Sequence, residues 1–185
     1  MLKGKKILIG VTGSIAAYRA CDLIERLKEE GAEIQCVMTS AGKRFITPDT
    51  LRALSGRPVY SDLFEGHSFP GPLHTTLADE SDLIVIVPAS CNVMARLASG
   101  ICDDLLTNIV MATQQPVLIV PAMNDNMYSH PFTQKNIREL AAIGYHFLAP
   151  EKGQLICGRY SVGHIASEKN ILSRIKELVN ARKKN

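Results

Sequence analysis

The chain has 185 residues, 46% of them hydrophobic, a formal net charge of +3 and 5 cysteines, which suits one soluble domain around one well-buried core. The positive balance owes much to the terminal Arg182-Lys183-Lys184 cluster and comes with no aromatic-rich basic stripe, which argues against nucleic acid as a partner. Cys21, Cys36, Cys91, Cys102 and Cys157 form neither a regular framework nor a CxxC pair, which disfavours a disulfide scaffold and structural zinc, and no run is apolar enough for a membrane span or a signal segment; the expected place is a reducing cytoplasm.

Ile7-Leu8-Ile9-Gly10-Val11 reads as a buried strand. Thr12-Gly13-Ser14 then opens a helix whose apolar periodicity runs through Ile15, Tyr18, Leu23, Ile24 and Leu27. Further strands are expected at Glu33–Met38, Leu83–Val87 and Pro116–Val120, with a shorter candidate at Tyr145–Leu148 and helical patterns between them. Gly66–Pro72, with its Pro and Gly residues, reads as an exposed loop before His74. Continuously apolar strands alternating with helices predict an α/β fold of three layers, Rossmann-like or flavodoxin-like, with a mostly parallel central sheet.

In such sheets ligands sit beyond the carboxyl ends of the strands, and four of those ends carry small or polar residues. At Thr12-Gly13-Ser14-Ile15, free N–H groups at a helix start could take a phosphate, or Gly13 is a turn residue and Ser14 a helix cap. The segment lacks both GxGxxG and GxxxxGK[ST], which favours a mononucleotide such as FMN over a dinucleotide or ATP. The hydroxyls of Thr39 and Ser40 could accompany a phosphate or cap the following helix. Pro88-Ala89-Ser90-Cys91-Asn92 could let a flat ring approach the backbone, or is another cap. In Val120-Pro121-Ala122-Met123-Asn124-Asp125-Asn126-Met127, the Asn124 amide suits a carboxylate, or the segment is a turn. Asp103-Asp104 reads as an acidic pair at a helix start, and no metal site is expected.

Two reactive residues lie outside these turns. His74 has the side chain best suited to moving protons near neutral pH, whereas His67, His130, His146 and His164 have less supporting context. Cys157, in Gly153-Gln154-Leu155-Ile156-Cys157-Gly158-Arg159, sits in a segment able to fold over a site, and Arg159 would favour its thiolate.

Taken in order, Gly13-Ser14-Ile15, His74, the PxMNxxM pattern of Pro121, Met123, Asn124 and Met127, and the Cys-bearing Gly153–Gly158 resemble the flavin-containing cysteine decarboxylases over nearly the whole chain. Tyr128 stands where that family often has Trp, and Ile156 where its flap commonly has Ala. The resemblance implies FMN as cofactor, held by Gly13, Ser14, Ile15, Ser40, Ser90, Cys91, Asn92 and Val93 with the Ala122 backbone near the flavin. It implies His74 as acid/base, Asn124 as carboxylate clamp and Cys157 as proton donor, with Met127, Gln154, Leu155 and Ile156 at the substrate. The implied reaction is loss of CO2 from the cysteine of phosphopantothenoylcysteine, through transient oxidation of the thiol, decarboxylation to an enethiol and re-reduction. Alternatives are a peptide's terminal cysteine as substrate, or a non-catalytic flavin-binding regulatory role. The resemblance further implies a homo-oligomer, a trimer or a multiple of trimers, with flavin at subunit contacts. Residues 1–185 are expected to form one flavoprotein domain with no fused synthetase domain.

Overall fold

The computed structural model describes residues 2–64 and 71–181. His67, the greater part of the Gly66–Pro72 segment and the Arg182-Lys183-Lys184 cluster lie outside the described residues. In chain order the elements are β1 (Lys6–Val11), a 3-10 turn (Ile15–Tyr18), α1 (Arg19–Glu29), β2 (Glu33–Met38), a second 3-10 turn (Gly42–Arg44), α2 (Pro48–Ser55), β3 (Val59–Tyr60), α3 (Leu73–Glu80) and β4 (Leu83–Ala89). There follow α4 (Cys91–Ala98), α5 (Leu105–Ala112), β5 (Val117–Pro121), α6 (Asp125–Ser129), α7 (Pro131–Ala142), β6 (His146–Phe147), β7 (Glu151–Gln154), β8 (Tyr160–His164) and α8 (Glu168–Ala181).

The central strands are apolar on both faces because helices cover both. Along β1, Ile7, Ile9 and Val11 face one core, completed by Leu23, Ile24 and Leu27 of α1 and by Ile171, Ile175 and Leu178 of α8. Leu8 faces the other, built from Leu77 of α3, Val93 and Leu97 of α4, Leu106 and Ile109 of α5, and Leu140 of α7. The period of two in side-chain direction thus sorts one continuous apolar run into two cores. A Cβ at Gly10 would lie 2.6 Å from Leu106 Cδ1, so a larger residue there would have to displace that side chain.

All pairings in the six-stranded sheet are parallel, in the order β3-β2-β1-β4-β5-β6. This is the doubly wound order, and the winding reverses between β1 and β4, where the crevice of such a sheet opens.

The structure departs from the sequence reading in three places. The helix expected from Ile15 onward begins as a 3-10 turn, and Ile15 and Tyr18 are half exposed instead of lying on a buried face. The two-residue strand β3 was not expected, being too short and only half-buried to carry a pattern. The segment around Cys157, read as a folding loop, is the turn of an antiparallel hairpin formed by β7 and β8.

Candidate functional site

The carboxyl ends of β1, β4 and β5 are tied together by two side chains that the sequence places just after β1. Thr12, fully buried, donates its hydroxyl to the Pro88 carbonyl at 2.6 Å and accepts the Ser90 N–H at 2.9 Å. Ser14 donates to the Ala122 carbonyl at 3.0 Å while its oxygen accepts the Ala16 N–H at 3.4 Å. Ser14 is therefore a cap and a cross-strand tie at once. The Ser90 hydroxyl accepts the Val93 N–H at 3.4 Å at the start of α4, leaving the first-turn N–H groups of Cys91 and Asn92 without acceptors inside the helix. After β2 the cap comes from Thr39, which accepts the Gly42 N–H at 3.1 Å, while Ser40 is exposed.

Beyond β5, Asn124 caps α6 by accepting the Asn126 N–H on Oδ1 at 3.0 Å. That bond fixes the amide orientation, because only an oxygen can accept there. The Asn124 NH2 group consequently faces the hairpin, with Nδ2 donating to Cys157 Sγ at 3.8 Å. One of its two N–H bonds meets the thiol; the other is available to an anion.

The hairpin is docked at its base by backbone: the Met123 N–H donates to the Gly163 carbonyl at 3.1 Å. Gly163 has φ 142, and a Cβ there would fall on the Met123 carbonyl oxygen, so this position takes glycine alone. Glu151, at the start of the hairpin, accepts from the Ser167 N–H at 3.0 Å and from Asn170 Nδ2 at 2.8 Å, which anchors that strand to α8 and holds its carboxyl below the usual range. Of the five cysteines only Cys157 is exposed. The Arg159 backbone N–H, and then its guanidinium, hold the Cys157 thiol below its ordinary value against some desolvation and the nearby Asp125 charge. Burial instead pushes Cys36 up to about 12, which makes it inert.

Between the strand ends and the hairpin lies a cavity of about 450 Å³, within the size range of small-molecule sites. It brings together eight of the residues expected from the sequence: Ser14, Ile15, Ala122, Asn124, Gln154, Leu155, Ile156 and Cys157. Its wall also includes Ala16, Tyr18, Met123, Gly163, His164 and Ile165, which the sequence reading did not assign to the site. Tyr18 carried a signal in retrospect, as an aromatic side chain on the apolar stripe of a helix start that is 52% exposed.

Other expected residues do not line this cavity. Gly13 packs against the Ala41 side chain, where a Cβ would come within 2.6 Å. Cys91 Sγ lies 3.3 Å from Thr133 Oγ1 of α7, Val93 is buried in the core, and Asn92 is exposed beside them. Met127 stands half exposed on α6. His74 occupies the first turn of α3, which packs on the core of Leu77 and Ile109, whereas Ala122 and Ile165 of the cavity belong to the opposite core. The Asp103-Asp104 pair is structural: Asp104 caps α5 in a reciprocal arrangement with Thr107, and Arg96 bridges both carboxylates. Among the described residues no group of three or more His, Cys, Asp or Glu is placed to hold a metal ion, and no helix is long and apolar enough to cross a membrane.

The profile of the Flavoprotein family matches residues 1–180. The chain belongs to that family. It is 47% identical over 164 residues to the coenzyme A biosynthesis bifunctional protein CoaBC of Vibrio vulnificus, covering 89% of this chain and 41% of the relative. It thus spans about two fifths of the length of that relative. A Streptococcus mutans protein named as a probable phosphopantothenoylcysteine decarboxylase is 41% identical over 175 residues, 94% of this chain and 98% of that protein. Among solved structures, the FMN-dependent cysteine decarboxylase SpaF superposes with a TM-score of 0.87 at 31% identity, covering 98% of each chain.

Proposed function

We propose that the chain is an FMN-dependent carboxy-lyase that converts 4'-phosphopantothenoylcysteine to 4'-phosphopantetheine in coenzyme A biosynthesis, acting in the cytoplasm as a homo-oligomer. The observation that carries this reading is the meeting of the Asn124 amide and the Cys157 thiol, from separate elements, in one cavity beside the β1–β4 crevice. The end-to-end similarity to the Streptococcus mutans protein supports the choice of substrate.

The residues present fit a flavin mononucleotide. The first-turn N–H groups of Ile15, Cys91 and Asn92 and the Ser90 hydroxyl are donors suited to a phosphate and ring heteroatoms, and Ile15, Leu155 and Ile165 give the cavity an apolar wall. FMN, when bound, supplies reversible hydride acceptance, so that the substrate thiol is oxidised before CO2 leaves and reduced again afterwards. The chain's own share is positioning and proton transfer. The free N–H of Asn124 holds the substrate carboxylate, directing its C–C bond for cleavage. The hairpin, through Gln154, Leu155 and Ile156, closes over the substrate and excludes water. Cys157, its thiol held below the ordinary value, gives its proton to the carbon that lost CO2, and the sulfur-bearing carbon takes back the hydride.

His74 serves as the acid/base that takes the substrate's thiol proton. Its place on the far core of the same chain is accounted for by an oligomer, a trimer or a multiple of trimers, in which flavin lies at a contact and the α3–α4 side of one copy completes the hairpin cavity of another.

Purified protein, incubated separately with phosphopantothenoylcysteine and with a cysteine-ended peptide, is expected to release CO2 from the former and yield the saturated thiol. His74→Asn should keep FMN and lose CO2 release. Cys157→Ser should release CO2 yet accumulate the enethiol. Mixing the two variants should restore formation of the saturated thiol where one site draws on two copies. Release of CO2 from the peptide alone would reassign the substrate, and release from neither would leave a flavin-binding protein without this activity.

A further inference from the structure

The hairpin that carries Cys157 is fixed at its base by backbone and by Glu151, but its turn is tied down differently. Within the turn, the Leu155 N–H donates to the Arg159 carbonyl at 2.8 Å and the Gly158 N–H to the Leu155 carbonyl at 2.9 Å, which shape the turn without attaching it to anything. Attachment to α6 comes from two side-chain contacts among the described residues. One is the 3.8 Å contact of Asn124 with Cys157, too long to hold a strand in place. The other is an ion pair, with Arg159 donating from its guanidinium to Asp125 Oδ1 at 2.5 Å. The Asp125 side chain is only 18% exposed and Arg159 50%.

Both partners are neighbours of a reacting group in sequence. Asp125 follows Asn124 and is the first residue of α6, where a carboxylate is also favoured by the helix start. Arg159 lies two residues beyond Cys157. The pair therefore joins the residue after the carboxylate clamp to the residue beside the proton donor.

We propose that Asp125 is a positioning residue, whose ion pair with Arg159 latches the hairpin turn onto α6 and so holds the Cys157 thiol over Asn124. The inference rests on the decarboxylase reading above for its catalytic consequence, but the latch itself is a property of this chain. A positively charged turn held by one carboxylate also opens without breaking any backbone bond, which gives substrate a route past Ile156, itself 83% exposed.

The test compares wild type with Asp125→Asn, Asp125→Arg, Arg159→Asp and the double charge reversal, all as FMN-loaded protein. Amide hydrogen exchange across residues 155–160 is expected to speed up at least several-fold in each single variant and to return toward wild type in the double reversal. With phosphopantothenoylcysteine, the single variants should release CO2 while the fraction of product left as enethiol rises, and the double reversal should restore the saturated thiol. A general structural role for Asp125 predicts no such rescue. Wild-type exchange and product ratio in Asp125→Asn, or a double reversal as loose as the single variants, would overturn the latch. Absence of CO2 from wild type would instead overturn the decarboxylase reading, and the exchange measurement would still decide the latch.

Discussion

At the scale of single residues, the chemistry of the site turns on what surrounds Cys157. Its thiol is stabilised as the thiolate first by the Arg159 N–H and then by the Arg159 guanidinium. The folded value lies below that of a free thiol, so the thiolate persists to lower pH than usual and disappears as pH falls through the shifted value. Arg159→Ala keeps the N–H and removes the guanidinium. The midpoint of the pH profile for Cys157 alkylation should therefore move upward; a midpoint unchanged from wild type would mean that the side chain does not tune the thiol. The sequence made this residue visible, because a cysteine among Gly, Gln and Arg is unlike the buried Cys36. His164 was not singled out, although it lines the same cavity. An isolated histidine carries no pattern, and only the fold shows that its ring lies over Gly153, where a Cβ would come within 2.8 Å.

At the scale of elements, legibility followed burial. β1, β2, β4 and β5 were readable because burial imposes an apolar run: β4 is buried at every position, and Glu33–Met38 was read with the boundaries it has. The β7–β8 hairpin was not, since its arms, Glu-Lys-Gly-Gln and Tyr-Ser-Val-Gly-His, are half exposed and polar. They pair with each other and dock against α6 and α8, and no local pattern encodes that docking. Gly163, which bulges out of the β7–β8 register, is the point at which the docking of the hairpin is most exacting. Gly163→Ala would place a methyl group against the Met123 carbonyl at a positive φ, a change expected to cost more than about 1 kcal/mol locally. The hairpin should undock while the sheet stays intact: amide exchange should rise across residues 151–164, with exchange in β1 and β4 unaffected. Protection of the hairpin equal to wild type would show that the backbone there can shift to admit a side chain.

At the scale of the whole molecule, the doubly wound sheet decides where a site can be and leaves open how many copies complete it. A site beyond the carboxyl ends of the strands was expected from the alternation of strands and helices; that the winding reverses between β1 and β4 is seen only in the strand order. That the expected site residues divide between two sides of the sheet was not legible, since a sequence gives the order of elements but not which face each helix takes.

The same division has an energetic consequence. Ile175 belongs to the core on one side of the sheet and Leu140 to that on the other, and both are fully buried. Truncating either to Ala should cost about 2–5 kcal/mol. Because a layer of backbone separates the two cavities so made, neither can relax into the other. The losses, read from urea unfolding, should sum within about 0.5 kcal/mol in the double variant; a shortfall well beyond that would mean that strain crosses the sheet. If they do sum, the sheet is a mechanical partition as well as a scaffold, and one flank can drift in sequence without the other having to follow.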